Sequence, residues 1–229
     1  MTTVTAAVQK DASNDFLKKL FGVEYFLPSE GSVVIEASED DLYYYKVYVG
    51  SHTIEVEKGD CLYYISADKE IAHLARGPVT VTSEHVATMI RGYMPETKMS
   101  TFAANTNLPY VNGCSTKQIF PPDRIGDPTL QLLNIPPYSS EQAHHIHSTV
   151  RVAYIVSGTG RSIVGMQGEN IVEDLFPGKV VILQKMCPHH FETDEQHLIV
   201  LPLHVFSSAG PVERSHPMFN GTHLTEIVA

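Results

Sequence analysis

The chain has 229 residues, 43% of them hydrophobic and 18% charged, which is enough to bury an ordinary core and argues against global disorder. A formal net charge of −10 without a basic cluster argues against nucleic acid and anionic membranes as partners, because nothing would neutralise a row of phosphates. No stretch has the apolar length of a membrane helix, and the N-terminus lacks the form of a signal peptide. The scattered cysteines Cys61, Cys114 and Cys187 argue against a disulfide framework, so we expect a reducing, cytoplasmic setting.

The first 95 residues predict one helix followed by short strands. Residues 11–21 carry apolar side chains at helical spacing, and Ser13 or Asn14 can cap them. From residue 31 onward, turn residues separate runs of strand-forming sequence. The predicted strands are Ser32–Glu36, Leu42–Val49, Thr53–Glu57, Cys61–Ile65 and Val79–Thr82. Regularly spaced short strands favour an antiparallel barrel or sandwich.

A second run of strands follows a proline-containing, polar segment at 94–128, which is the natural linker and includes a possible edge strand at Thr116–Phe120. The later predicted strands are Thr129–Ile135, 144–158, Gly160–Gly165, Asn170–Asp174, Val180–Leu183 and Leu198–Leu203. We therefore divide the chain into an N-terminal helix and arm (1–30), a first barrel (31–95), a linker (96–128), a second barrel (129–206) and a C-terminal tail (207–229). The tail is expected to wrap the surface and to end in a short element at 224–228.

A histidine-containing strand dominates the second barrel. Residues two apart in a strand point to the same face, so His145 and His147 project together, about 7 Å apart along the backbone. A second pair, His189 and His190, follows about forty residues later. Two histidines on one strand and a third from a distant strand would form a compact three-nitrogen metal site.

These residues resemble the two sequence motifs of the cupin superfamily. The first reads His145-x-His147, then Arg151 and Gly158, and the second reads Phe176-Pro177-Gly178, then Pro188-His189-His190-Phe191. The resemblance covers about 130–200 well and 31–95 in degraded form. It implies an all-β bicupin, with tandem double-stranded β-helix (jelly-roll) barrels and a short N-terminal helix. It also implies one divalent metal in the mouth of the second barrel, bound by His145, His147 and His189.

Three features of this site stay open at the level of sequence. Strand alternation lets only one of His189 and His190 point inward, and the position after Pro188 favours His189. Fe(II) is the expected metal, although imidazoles also suit Zn, Cu or Ni and Mn is possible. His204 and His216 are candidates for residues that contact the metal ligands rather than the metal itself.

Arg151 stands where the family has a glutamate ligand. It shares the parity of His145 and His147, so we expect it to face the same interior, where a cation cannot ligate a metal. Arg151 is therefore the candidate catalytic and substrate-binding residue, pairing with a carboxylate, phosphonate or enolate. Alternatively, it pairs with an interior acid such as Glu141.

Two further residues share the parity of His189. Cys187 and Lys185 are candidate substrate contacts, although Cys187 also fits a small buried hydrophobe. In the first barrel, Ala37-Ser38-Glu39 replaces the paired histidines and only His73 remains, so this barrel is expected to be structural.

The resemblance points to a three-histidine non-haem Fe(II) dioxygenase acting on a small, anionic organic molecule. A metal-dependent lyase or isomerase is an alternative, as is a non-catalytic cupin that binds metal or a small ligand, since fold alone does not determine function. Barrel edges of this kind often pair, so a homodimer is expected.

Overall fold

The computed structural model describes residues 14–38, 44–102, 106–123, 126–166, 168–206 and 222–224, the last of these by backbone alone. It begins with a helix, α1, at 14–21, followed by strand β1 at Val23–Phe26. Leu17 and Phe21 of α1 pack against the second half of the chain, whereas Phe16 and Leu20 are exposed. The proposed cap Ser13 lies outside the described residues. Among the described residues, no helix has the length and apolar character needed to cross a membrane.

The first half forms two antiparallel sheets. Its strands are β2 Val33–Glu36, β3 Tyr45–Val49, β4 His52–Val56, β5 Asp60–Ile65, β6 Ile71–Arg76, β7 Val79–Ser83, β8 Val86–Arg91 and β9 Lys98–Thr101. The larger sheet has the order β2-β3-β8-β5-β6-β9, and β4 pairs with β7 in the smaller one. Two 3-10 turns, Pro28–Glu30 and Val111–Gly113, complete the secondary structure of the connecting segments.

The second half also forms two antiparallel sheets. Its strands are β10 Leu108–Pro109, β11 Ser115–Phe120, β12 Thr129–Ile135, β13 His145–His147, β14 Arg151–Gly158, β15 Gly160–Met166, β16 Glu169–Leu175, β17 Val180–Leu183, β18 His189–Glu192, β19 Leu198–His204 and β20 Thr222–Leu224. A seven-stranded sheet has the order β1-β17-β14-β19-β12-β11-β10, and a five-stranded sheet has the order β16-β15-β18-β13-β20. An apolar cluster with members from both sheets, such as Ile155 and Val200 of one and Val164 and Phe191 of the other, fills the space between them.

Strand alternation explains how the halves pack together. Along β14, Ala153 and Ile155 belong to the interior cluster of the second half. Val152 and Tyr154, on the other face, belong to a larger cluster shared with β3 and β5 of the first half. The two halves are therefore joined sheet against sheet through one continuous apolar layer.

The structure adds strands to several segments that the sequence left irregular. The N-terminal arm contributes β1, in which Val23 pairs with Leu183 of β17. The predicted linker contributes β9 to the first half and β10 to the second, together with β11, which corresponds to the possible strand predicted at Thr116–Phe120. Strands β6 and β8 had no counterpart in the predicted set. The predicted start of one strand at Leu42 and the tail at 207–221 and 225–229 lie outside the described residues.

The long predicted strand at 144–158 is divided in the structure. It forms β13 in the five-stranded sheet and β14 in the seven-stranded sheet, and residues 148–150 connect them. The chain thus crosses from one sheet to the other between His147 and Arg151. This crossing places the two ends of the predicted strand on opposite walls of the interior.

Candidate metal centre

Three histidines converge on the inner face of the five-stranded sheet. His145 and His147 lie on β13, and His189 lies directly opposite His145 on the neighbouring β18. All three are buried, and one nitrogen from each lies within 4.8 Å of the others. The two Nε2 atoms of His145 and His147 are 3.1 Å apart. That separation is close to the spacing of two nitrogens bound about 2.1 Å from one ion.

Backbone carbonyls orient two of these rings. His145 Nδ1 donates to the carbonyl of Ala143 at 2.8 Å, and His189 Nδ1 donates to the carbonyl of Cys187 at 2.9 Å. Each bond places the ring proton on Nδ1 and leaves the Nε2 lone pair for a ligand, which is the usual way in which a second layer selects a histidine tautomer.

The surroundings keep the three rings neutral. Burial lowers the pKa of His145 to about 4, against the opposing effect of its bond to Ala143. Burial also lowers the pKa of His147 and His189 well below the usual range, and the nearby Arg151 cation adds to this effect. Neutral imidazoles carry the lone pairs that transition metals require, so the cluster fits a divalent metal ion.

Arg151 faces the cluster from the opposite sheet. It begins β14 in register with His204 of β19, and its side chain is buried at 3% exposure. The sequence predicted its inward direction by continuing the parity of His145 and His147. In the structure, Arg151 faces the same interior because the chain crosses from one sheet to the other at 148–150. Arg151 donates a hydrogen bond to Thr149 Oγ1 beside it.

The interior acid suggested as a partner for Arg151 has another contact. Glu141 is buried and accepts a hydrogen bond from the backbone N–H of Phe191. Burial raises the pKa of the Glu141 carboxyl to about 8, and this bond only partly offsets the effect. The Glu141 carboxyl therefore contacts the β18 backbone and tends to hold its proton. A protonated carboxyl is neutral, so it is a poor counter-ion for Arg151.

His204 is a fourth buried histidine at this site. Its ring centroid lies 6.1 Å from that of His147, and burial together with Arg151 lowers its pKa well below the usual range. On the next strand, Gln131 of β12 is fully buried. The sequence had named His204 as a candidate for a residue that contacts the metal ligands, whereas it did not single out Gln131. Strand parity in the run 129–135 would have been the signal for Gln131, because it breaks an apolar face.

His190 lies on the opposite face of β18, and His144 immediately precedes β13. Their Nδ1 atoms are 2.8 Å apart, and His144 Nε2 donates to the carbonyl of Gly165 at 2.7 Å. The structure therefore brings His189, rather than His190, to the cluster.

The other predicted substrate contacts lie elsewhere. The Cys187 side chain is buried in the apolar cluster, and burial raises the pKa of its thiol to about 12, as expected of a small hydrophobe. Lys185 is exposed in the turn that follows β17, where Met186 has a φ of 66°. The sequence placed Lys185 on the face of His189 by assuming an unbroken strand. The turn interrupts that strand, so the structure does not bring Lys185 into the cluster.

The first half has a different interior. His73 of β6 stacks on Tyr64 of β5, with ring centroids 4.7 Å apart and planes inclined by 10°. Ile54 and Leu62 belong to an apolar cluster of this half.

No family model matches the chain, and no curated protein matches it in sequence. Among solved structures, a putative glyoxylate-induced protein from Pseudomonas aeruginosa aligns with a TM-score of 0.53 at 9% identity, over 79% of this chain and 88% of that one. A cupin 2 conserved barrel domain protein from Leptotrichia buccalis aligns with a TM-score of 0.45 at 14% identity, over 80% and 96%. Oxalate decarboxylase aligns with a TM-score of 0.45 at 10% identity, over 79% and 76%.

At such identities the likeness concerns the fold alone, and the first of these alignments extends over both halves of the chain. The histidine motif and the paired sheets around it agree with that fold. The chain therefore has a two-barrel cupin fold, and its histidine cluster lies in the second barrel.

Proposed function

We propose that the second barrel binds one divalent transition metal ion through His145, His147 and His189, with Fe(II) favoured over Zn, Cu, Ni and Mn. The observation that carries this proposal is the convergence of three buried, neutral imidazoles on one point. Such a donor set suits Fe(II) and its neighbours better than Mg or Ca, which prefer oxygen ligands.

The charge of the site indicates what else binds there. The three ligands are neutral, so they supply no negative charge to a divalent ion held there. An anionic substrate would supply that charge. The buried Arg151 guanidinium lies on the opposite wall, where it would orient such a substrate by donating to its oxygens.

On this basis we propose a three-histidine non-haem Fe(II) dioxygenase acting on a small anionic organic molecule. Fe(II), when bound, supplies electron transfer to dioxygen and Lewis acidity. The protein contributes ring orientation through Ala143 and Cys187, exclusion of water by the apolar cluster, and substrate orientation by Arg151.

Metal content tests the ligand set. Replacing His145, His147 or His189 with alanine should lower bound iron from about one per chain to well under a tenth of that, because two imidazoles bind far more weakly than three. Metal analysis of protein purified without chelator gives the result. His144→Ala and His190→Ala replace two neighbouring histidines that contact each other and lie outside the ligand set, and as matched controls they should retain their iron. Iron retained in His147→Ala would disprove the site.

Oxygen dependence tests the reaction. The Fe(II)-loaded protein should consume dioxygen with at least one member of a panel of anionic diketones, diphenols and thiols, and the His147→Ala protein should not. Turnover that persists without oxygen would replace the dioxygenase with a lyase or isomerase. Binding of metal and ligand without turnover under either condition would leave a non-catalytic binding protein.

A further inference from the structure

One glutamine in the second barrel has an unusual position. Gln131 is fully buried at 0% exposure, and neither its Oε1 nor its Nε2 has a hydrogen-bond partner among the described residues. A buried amide without partners costs free energy, so proteins rarely retain one without a reason. Its interior neighbours on β12, Leu133 and Ile135, belong to the apolar cluster between the sheets.

Strand register places this amide on the same wall as Arg151. Thr129, one pleat before Gln131 on β12, pairs with His204 of β19, and His204 in turn pairs with Arg151 of β14. Residues two apart on a strand share a face and are about 7 Å apart. Gln131, His204 and Arg151 therefore line the same wall, opposite the sheet that carries the three histidine ligands.

His204 has the same property as Gln131. It is 1% exposed, and its Nδ1 also lacks a hydrogen-bond partner among the described residues. Two adjacent strands thus present unsatisfied polar atoms to one interior, next to a cation. The interior residue that follows Arg151 is Ala153, which belongs to the apolar cluster between the sheets.

We propose that Gln131, His204 and Arg151 form the substrate-binding wall of the site, and that the wall recognises a small carboxylate with an oxygen on the adjacent carbon, that is, an α-hydroxy or α-keto acid. This inference rests on the metal site proposed above and specifies its substrate class.

The chemistry of each residue matches part of such a ligand. The guanidinium of Arg151 pairs with the carboxylate. The amide of Gln131 can donate to a carbonyl oxygen and accept from a hydroxyl, so it suits both oxidation states of the adjacent carbon. His204, with one nitrogen available, supplies a second polar contact. A plain carboxylate would satisfy Arg151 and leave Gln131 unpaired.

Calorimetric binding to the Zn(II)-loaded protein tests the proposal without turnover, because Zn(II) has no redox chemistry. Lactate and pyruvate are the probes, and propionate, which lacks the α-oxygen, is the matched control ligand. We expect lactate and pyruvate to bind about tenfold more tightly than propionate. Gln131→Leu should remove that preference and leave propionate binding unchanged.

Thermal unfolding of the ligand-free protein separates a binding role from a structural one. Gln131→Leu should unfold at the same or a higher temperature than the parent, because it removes unsatisfied buried atoms. Gln118→Leu is the contrasting variant, since Gln118 Oε1 accepts a bond from Thr129 at 3.1 Å, and it should unfold earlier. Gln131→Met provides a second, volume-matched replacement if the leucine variant does not fold.

Several outcomes overturn the proposal. A lower unfolding temperature for both Gln131 variants with an unchanged preference for lactate would make Gln131 a structural residue. If the parent bound one zinc per chain but had equal affinity for lactate and propionate, the proposed substrate class would be wrong. If the parent protein did not bind zinc, the proposed metal site would be wrong. Lactate binding to the metal-free parent and to metal-free Gln131→Leu would then test the substrate-binding wall separately.

Discussion

Glu141 is a buried carboxyl near the site whose ionisation affects folding. Its folded-state pKa is about 8, raised from the ordinary 4.5 by burial. Below pH 4.5 both the folded and the unfolded state hold the proton. Between pH 4.5 and 8 the unfolded chain ionises while the folded protein retains the proton, so the free energy of unfolding falls as pH rises.

Glu141→Gln should remove this dependence. The glutamine oxygen can still accept the Phe191 N–H, and it does not titrate. The variant should therefore gain stability relative to the parent between pH 5 and pH 8, by about 2–4 kcal/mol at the upper end. Urea unfolding of both proteins across this range gives the difference. A variant that becomes less stable above pH 5 would instead support an ion pair between Glu141 and Arg151.

Sequence reasoning predicted the three converging histidines because a two-residue spacing on a strand carries direction. Strand periodicity could not test the suggested pairing of Glu141 with Arg151, because Glu141 lies in a loop. Gln131 and His204 were not singled out as a pair, because their significance comes from missing hydrogen bonds. Only coordinates reveal which buried atoms lack partners.

The histidine strand β13 is the most vulnerable element of the site. It has only three residues, and it lies between β18 and β20. The backbone of His147 pairs with Thr222 of β20, and its carbonyl accepts the N–H of Met186 at 2.7 Å. The C-terminal segment therefore helps to hold two of the proposed ligands in place.

Removing residues 207–229 should expose β13 as an edge strand. We expect the fold to persist, because the apolar clusters among the described residues fill both barrels with side chains that precede residue 207. Metal affinity should fall by about tenfold or more, since ligand positions would be less ordered before binding. Zinc titration against a chromogenic chelator measures the change. Unchanged affinity would show that β18 and the turn at 184–187 suffice to position β13.

Local periodicity also explains why the sequence predicted one continuous strand where the structure has two. Residues 144–158 alternate as one strand would, and the crossing at 148–150 interrupts the strand without a glycine or proline to mark it. Similarly, β1 and β9 are four-residue strands whose partners lie far away in the sequence. Short strands that depend on distant pairing carry little local signal.

At the scale of the molecule, the larger sheets of the two halves share one apolar layer. It includes Val47 and Tyr63 from the first half and Val152, Tyr154 and Leu203 from the second. Two barrels in tandem could be predicted from the spacing of strands, whereas their packing face could not. Both faces of β14 are apolar, so the sequence does not indicate which one meets the other barrel. Formation of a homodimer stays a prediction.

Tyr154 offers a test of whether the halves fold as one unit. It is 2% exposed within the shared layer and lies 6.2 Å, ring to ring, from His85 of the first half. Tyr154→Ala should cost about 3–5 kcal/mol by leaving a large cavity. Because the layer is continuous, hydrogen exchange should accelerate in peptides from both halves by a similar factor. Val172→Ala, at a 56% exposed position on β16, is the control and should change neither half. Acceleration confined to the second half would show that the first barrel is stable without its neighbour, and that the shared layer joins two independent folding units.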